Sequence, residues 1–288
     1  MPCDVAASHL QPTMPELEGV SATLLLALAA RALAPIDTPD LHFADPMAER
    51  ILGEMRIDPR RYRLRKLEVR TVVLRAQWFA KRQREFFARH PGAVVMNFGC
   101  GLTASYEQIA GAGETCCNWY DVDLEPVIAV RRRYFADTIR RRMLVRDAAR
   151  DPFYRIPWPP ERPGLIIAEG LLYYLRPAEV SMFLRTAVRE AAARHAHLEI
   201  LFDYASAMGA RFLERRPAHR QLGTHYAWTL RRPDEVTAME PRLEIVEDAN
   251  LYALAMDPVS LTLNRIHRMI AGGNLGGSMH LRLRQASS

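Results

Sequence analysis

The chain has 288 residues, 49% hydrophobic and 25% charged, which suits a globular protein with one large α/β core or two small ones. Its longest apolar run, residues 22–30, falls far short of the ~20 residues that span a bilayer, and residues 1–19 lack a signal pattern, so a cytoplasmic protein is expected. The formal charge of +6 raises a nucleic-acid partner, but the cations are almost all arginines without interleaved aromatics, which favours a solvated basic surface.

Residues 1–19, with Pro2, Pro12 and Pro15, read as a loose arm. A buried helix is expected over 20–33, with Ser21 as N-cap and a stop before Pro35. Asp45-Pro46 opens a second helix to about Met55, with the acid at the N-cap and proline at the first helical position. Residues 67–89 place Val69, Val72, Val73, Trp78, Phe79, Phe86 and Phe87 near helical spacing. These helices have no sheet partner of their own and are expected to cover one end of a sheet.

From residue 93 the pattern alternates strand and helix, the mark of a parallel sheet. Strands are expected at 93–98, 115–122, 142–145, 164–168 and 197–202, with helices at 103–110, 124–139 and 177–194. The arginine runs Arg131-Arg132-Arg133 and Arg140-Arg141-Arg142 fall on what read as solvated surfaces. After a helix-like piece at 207–216 and an aromatic loop, His225-Tyr226-Ala227-Trp228, the alternation resumes at 243–254 and 279–284. The last strand is expected to close the sheet antiparallel, with no helix required before it. Cys100, Cys116 and Cys117 read as buried reduced thiols, and no Cys-x-x-Cys or Cys/His spacing calls for a metal.

The strand at 93–98 runs into Gly99-Cys100-Gly101, and the next strand ends in Asp121 and Asp123. Glycines at such a turn let the backbone approach a ligand, and an acid closing the next strand takes ribose hydroxyls. The pieces therefore predict an adenosine-containing cofactor. A nicotinamide dehydrogenase, the alternative enzyme class, pairs two mononucleotide halves, but the second half here has no glycine loop. Its strand ends instead in Glu169-Gly170 followed by Tyr173-Tyr174, and an acid there suits a cationic amine.

These stretches, with Phe43-Ala44-Asp45-Pro46, Asn97-Phe98-Gly99-Cys100-Gly101-Leu102, Trp119-Tyr120-Asp121-Val122-Asp123, Ala168-Glu169-Gly170 and Leu201-Phe202-Asp203, resemble a known family across roughly residues 19–284. It is the class I S-adenosylmethionine-dependent methyltransferases of the leucine carboxyl methyltransferase family, in particular the bacterial tetracenomycin-type polyketide O-methyltransferases. The resemblance implies a Rossmann-like, mostly parallel sheet with a helical cap (1–90), a cofactor-binding core (91–204), an acceptor lid (205–241) and C-terminal strands (242–288). It implies S-adenosylmethionine as cofactor: Arg75 for its carboxylate, Gly99 and Gly101 along it, Asp123 for the ribose with Asp121 as the second candidate, Asp147 beside the adenine, and Glu169 for the amino group. Tyr174 faces the acceptor. Asp121 also reads as a solvated strand-end acid, and Tyr173 as core.

The chain departs from the family where Thr103-Ala104-Ser105 replaces an Asp-Thr-Arg run, which puts activity in question and keeps a non-catalytic binding protein as an alternative. Thr103 is still able to cap the following helix. The expected reaction is methyl transfer to a hydroxyl or carboxylate of a small aromatic or polyketide-like metabolite, with protein carboxyl methylation less favoured. A phenol of pKa ~10 needs a base, whereas a carboxylate does not. The candidate base is His225, against a solvent-exposed or structural role; His195, His197 and His219 read as helix-surface or strand-edge residues.

Overall fold

The computed structural model describes residues 23–110, 117–223, 225–250 and 258–284. The expected arm, Ser21 and Cys116 lie outside them. The described residues form a seven-stranded sheet in the order β3-β2-β1-β4-β5-β7-β6. Its strands are β1 (Val94–Phe98), β2 (Asn118–Asp123), β3 (Arg141–Val145), β4 (Gly164–Ala168), β5 (Leu198–Ala205), β6 (Leu243–Ala249) and β7 (Gly276–Leu283). β1 to β5 pair in parallel, and β7 runs antiparallel to both β5 and β6. The chain steps outward from β1 to β3 and then crosses back to β4, so the order reverses between β1 and β4. Ligands of such sheets bind at the carboxyl ends of the strands beside that reversal. β1 and β4 are buried along their whole length, which is why they read as continuous apolar runs.

Both faces of the sheet are covered. On one, Phe183 of α6 (Pro177–Ala193) packs edge-on against Phe98 with ring centres 5.1 Å apart. On the other, Trp78, Phe79 and Phe86 of α3 (Lys66–Arg89) pack on Val95, Leu165, Ile167 and Leu201. Each aromatic side chain buried in this way is worth about 2 kcal/mol. The long helix α3 starts where Glu68 accepts a hydrogen bond from the Arg65 N–H. It therefore covers a face rather than an end. The end expectation holds instead for α1 (Leu24–Asp37) and α2 (Pro46–Glu54), whose Leu26, Leu28 and Leu52 cluster with Cys100 and Leu102 of the glycine loop.

α1 does not stop before Pro35 but continues to Asp37. The Thr38 N–H and hydroxyl both donate to the Ala34 carbonyl, closing the helix just beyond the proline. The expected N-cap of α2 is present: Asp45 accepts from the Ala48 N–H at 3.0 Å and also pairs with buried Arg31 at 2.6 Å.

The helix expected over 124–139 is short, α5 (Glu125–Arg131), with α4 (Ser105–Ala110) before it in the chain. Turn chemistry ends α5 early. Asp137 accepts from the Met143 N–H, and the Thr138 hydroxyl accepts from the N–H groups of Arg140 and Arg141, steering the chain into β3. Beyond β5 come α7 (Ala207–Glu214), α8 (Pro217–Leu222) and α9 (Asp234–Met239). Between β6 and β7 lies α10 (Pro258–Ala271), absent from the sequence-based expectation although Pro258 and Gly272-Gly273 punctuate its ends. Among the described residues, no helix is long and apolar enough to cross a membrane.

Candidate active site

The glycine loop leaves β1 with Gly99 at φ +63° and Gly101 at φ +51°, a left-handed backbone that favours glycine. A side chain at position 99 would also meet Leu171 at 3.1 Å. The loop is held from beneath by Arg131, fully enclosed, which donates to the carbonyls of Gly101 and Thr103 at 2.8 and 2.9 Å. Thr103 does not act as the expected cap; its hydroxyl turns back onto the Cys100 carbonyl at 3.1 Å. Cys100 and Cys117 are free and buried, and burial pushes the Cys100 thiol well up.

Arg131 in turn pairs with Asp121 at 3.0 Å. Asp121 also accepts from Asn97 (3.0 Å), the Trp119 indole (2.9 Å) and Arg141 (2.7 Å). Burial alone would raise this carboxyl, but the two guanidiniums outweigh it and hold it below the usual carboxylate range. Asp121 is thus neither a ribose ligand nor a solvated strand-end acid: it has no exposed surface and does not line the cavity described below. The two arginine runs are corrected with it, because Arg131 and Arg141 are buried rather than part of a solvated basic surface.

Asp123, one pleat further on, reaches the opening. Its two oxygens accept from the N–H groups of Gly101 and Leu124, each at 2.8 Å, and burial pushes its pKa up. A carboxylate so held still has lone pairs free for two hydroxyl donors. Asp147, just after β3, accepts from the Ala149 N–H at 2.8 Å and lines the same cavity.

At the end of β4, Glu169 accepts from Arg75 Nε at 3.0 Å. The same guanidinium reaches Asp203 on β5 at 2.7 Å, and Asp203 also takes the Gly170 N–H at 2.6 Å. Burial pushes the Asp203 carboxyl up. Asp203 carried no role in the sequence expectation. The signal was an acid interrupting the apolar run of β5, and only the β4–β5 pairing shows that it meets Glu169 and Arg75. One guanidinium stands between two carboxyl groups, so the cluster has acceptor capacity to spare for a cationic guest.

These groups share one cavity of about 550 Å³, within the usual range for a small-molecule site. Arg75, Gly99, Gly101, Asp123, Asp147 and Glu169 all line it. Tyr174 lines it too, stacked on Tyr226 with ring planes 10° apart, and burial raises its phenol pKa. Tyr173, expected as core, is buried and also reaches the cavity wall.

The histidines exchange places. The His225 side chain is 80% exposed, pairs with Glu214 at 2.7 Å and is absent from the cavity wall. His219, which read as a surface residue, lines the cavity instead. Its approach depends on α8 folding back so that Ala218 is buried, a tertiary event with no local signature. Far from this opening, His90, His197 and Glu199 come within reach of a shared metal ion, although their spacing in the chain gave no sign of it. Glu199 there accepts from His197, His280 and Arg89 at 2.8–3.0 Å.

No family model matches the sequence. The chain is 31% identical over 234 residues to the tetracenomycin polyketide synthesis O-methyltransferase TcmP of Streptomyces glaucescens, covering 80% of this chain and 83% of that relative. The chain belongs to the TcmP-like S-adenosylmethionine-dependent methyltransferases. A second relative, the S-adenosyl-L-methionine-dependent methyltransferase dpfgK of Gibberella zeae, is 26% identical over 259 residues, covering 84% of this chain and 86% of its own. Among solved structures, a proposed methyltransferase from Thermobifida fusca superimposes with a TM-score of 0.58 at 20% identity, over 97% of this chain and 100% of that one, and shows the fold.

Membership of this family sets aside the dehydrogenase alternative and makes S-adenosylmethionine the cofactor. The site of this TcmP-like chain fits that group in three respects. Gly99 and Gly101 put no side chain into the left-handed turn of the loop, Asp123 keeps acceptors for a diol, and the Arg75–Glu169–Asp203 cluster sets two carboxyl groups against one guanidinium, which suits a cationic guest.

Proposed function

We propose that the protein transfers a methyl group to an oxygen, hydroxyl or carboxylate, of a small aromatic or polyketide-like metabolite. The observation that carries this reading is the continuity of the cavity: its acid and glycine lining passes without a break into an aromatic wall. Tyr174 and Tyr226 lie parallel with centres 5.6 Å apart, and Tyr173 meets both edge-on at 4.7 Å. Such faces hold a flat ring system in one orientation. TcmP, by its description, methylates an oxygen during polyketide synthesis, which supports the same acceptor class.

Asp123 takes the ribose diol, Asp147 lies beside the adenine, Glu169 receives the amino group, and Arg75 holds the carboxylate end while tethered by Asp203. Residues 205–241 act as the acceptor lid. S-adenosylmethionine held by these residues would supply an electrophilic sulfonium methyl, for transfer to the acceptor oxygen with the thioether as leaving group. The chain's contribution is to hold the oxygen in line with that methyl and to exclude water. Tyr174 keeps its proton, since burial raises its pKa, and therefore orients the acceptor rather than activating it. His225, turned to solvent, takes no part.

Mass spectrometry of cell extracts incubated with isotopically labelled S-adenosylmethionine and the enzyme tests the reading. A labelled aromatic ester or ether is expected. Absence of cofactor binding by calorimetry, in purified reduced protein, would overturn it.

A further inference from the structure

Two nitrogens on the cavity wall have no hydrogen-bond partner although both are buried: Arg216 Nε and His219 Nδ1. They stand three residues apart, at the first turn of α8 and the residue that caps it. The Arg216 guanidinium lies over the Phe212 ring, 4.0 Å from its centre, and Phe212 lines the same cavity. Stacking of this kind uses the face of the guanidinium and leaves its in-plane N–H groups to donate.

The acids nearest His219 are already engaged. Glu214 accepts from the Tyr226 N–H at 2.8 Å and pairs with His225, and Glu68 accepts from the Arg65 N–H at 2.8 Å. Among the described residues no carboxylate pairs with Arg216. A buried polar nitrogen without a partner is costly, and the fold tolerates two on this wall of the cavity. Burial also lowers the His219 pKa, against the pull of Glu68 and Glu214, so the ring is neutral and its free nitrogen is able to accept or donate according to tautomer.

We infer that Arg216 and His219 form an oxyanion subsite for the acceptor, taking an anionic oxygen on a flat aromatic body that rests against Tyr174 and Tyr226. The inference rests on the methyltransferase reading and deepens it. A carboxylate meets the Arg216 fork, reacts as the anion and leaves as a neutral ester, with no proton to remove. A phenol gives its proton to His219 Nδ1 as its oxygen forms the C–O bond and the S–C electrons pass to sulfur, leaving an ether, a thioether and an imidazolium. Both acceptors share one chemistry, an oxygen that is anionic at the moment of attack.

The test uses the full chain loaded with S-adenosylhomocysteine and three matched probes: 2-naphthoate, 2-naphthol and naphthalene. Calorimetry first establishes that the product cofactor binds; its failure would strike the methyltransferase reading itself, not the subsite. With cofactor bound, an oxygen-bearing probe is expected to bind at least about tenfold more tightly than naphthalene. Arg216→Gln should erase a preference for naphthoate, and His219→Gln a preference for naphthol, each leaving S-adenosylhomocysteine affinity unchanged. Exposed Arg215→Gln serves as the control and should alter nothing. Whichever variant acts identifies the acceptor oxygen. An equal response to the three probes, including no response, or a preference that survives both substitutions, overturns the subsite.

Discussion

Two ionic clusters are anchored on strands of the same sheet, and they differ in what they face. Asp121 is engaged by Arg131, Arg141, Asn97 and Trp119, Arg141 pairs in addition with Glu107, and none of Asp121, Arg131 and Arg141 lines the cavity. Arg75, Glu169 and Asp203 have similar chemistry and similar distances but line the cavity. Buried charge is therefore a poor guide to function unless it borders a space. The first cluster supports the glycine loop from below; the second is available to a guest.

The sharpest way to break the comparison is Asp121→Ala. It takes the shared carboxylate from two buried guanidiniums, leaving Arg131 only the loop carbonyls and Arg141 only Glu107, so a loss of about 3 kcal/mol is expected in chemical denaturation. A variant as stable as the wild type would show that the closed cluster does not hold the loop. Asp123→Asn should behave in the opposite way. The amide keeps one acceptor oxygen for the Gly101 and Leu124 N–H groups where the carboxylate has two, and relief of the burial that raises the Asp123 pKa offsets part of that loss, so the melting temperature should fall far less than in Asp121→Ala. Its affinity for S-adenosylhomocysteine should nevertheless fall about 10- to 100-fold by calorimetry.

Glu199 offers a third, smaller contrast at the other end of β5. Burial opposes its ionisation, but His197, His280 and Arg89 prevail and hold it far below its ordinary value of 4.5. A depressed carboxyl contributes stability that is complete above that value and is lost as pH falls toward the folded pKa. Thermal melts from pH 6 to pH 3.5 should show wild-type stability declining below about pH 4.5, by about 1 kcal/mol at the acid end, with a flatter profile in Glu199→Gln. The smallest effect belongs to His225→Ala. An exposed pair such as His225–Glu214 is worth less than about 0.5 kcal/mol, so melting temperature and turnover should stay near wild type. A large loss of turnover would return His225 to the list of candidate bases.

What was legible in the sequence follows locality. The glycine loop, Asp123 and Glu169 stand at strand ends, and an apolar run followed by glycine or acid marks such an end without any knowledge of neighbours. The Asp45 N-cap was equally local. Arg131 and Arg141 were not legible, because an arginine in a basic run looks the same whether it meets water or a buried aspartate. Asp203 needed the β4–β5 pairing to acquire a role, and His219 needed α8 to fold back over α1 and α2. The choice between Asp121 and Asp123 turned on a single pleat of depth, which alternation cannot supply when both residues lie on one side of the strand.

β7 lies between β5 and β6, and its Ser278 stands directly beside Asp203 in the sheet. Until residues 276–283 have left the ribosome, β5 is an edge strand, and the acid that tethers Arg75 lies at the border of the sheet rather than inside it. The tether of Arg75 is therefore enclosed by a strand that lies far downstream of Asp203 in the chain. Cofactor binding should therefore report that β7 has docked on β5, so that a chain in which that pairing has not yet formed would not compete for S-adenosylmethionine.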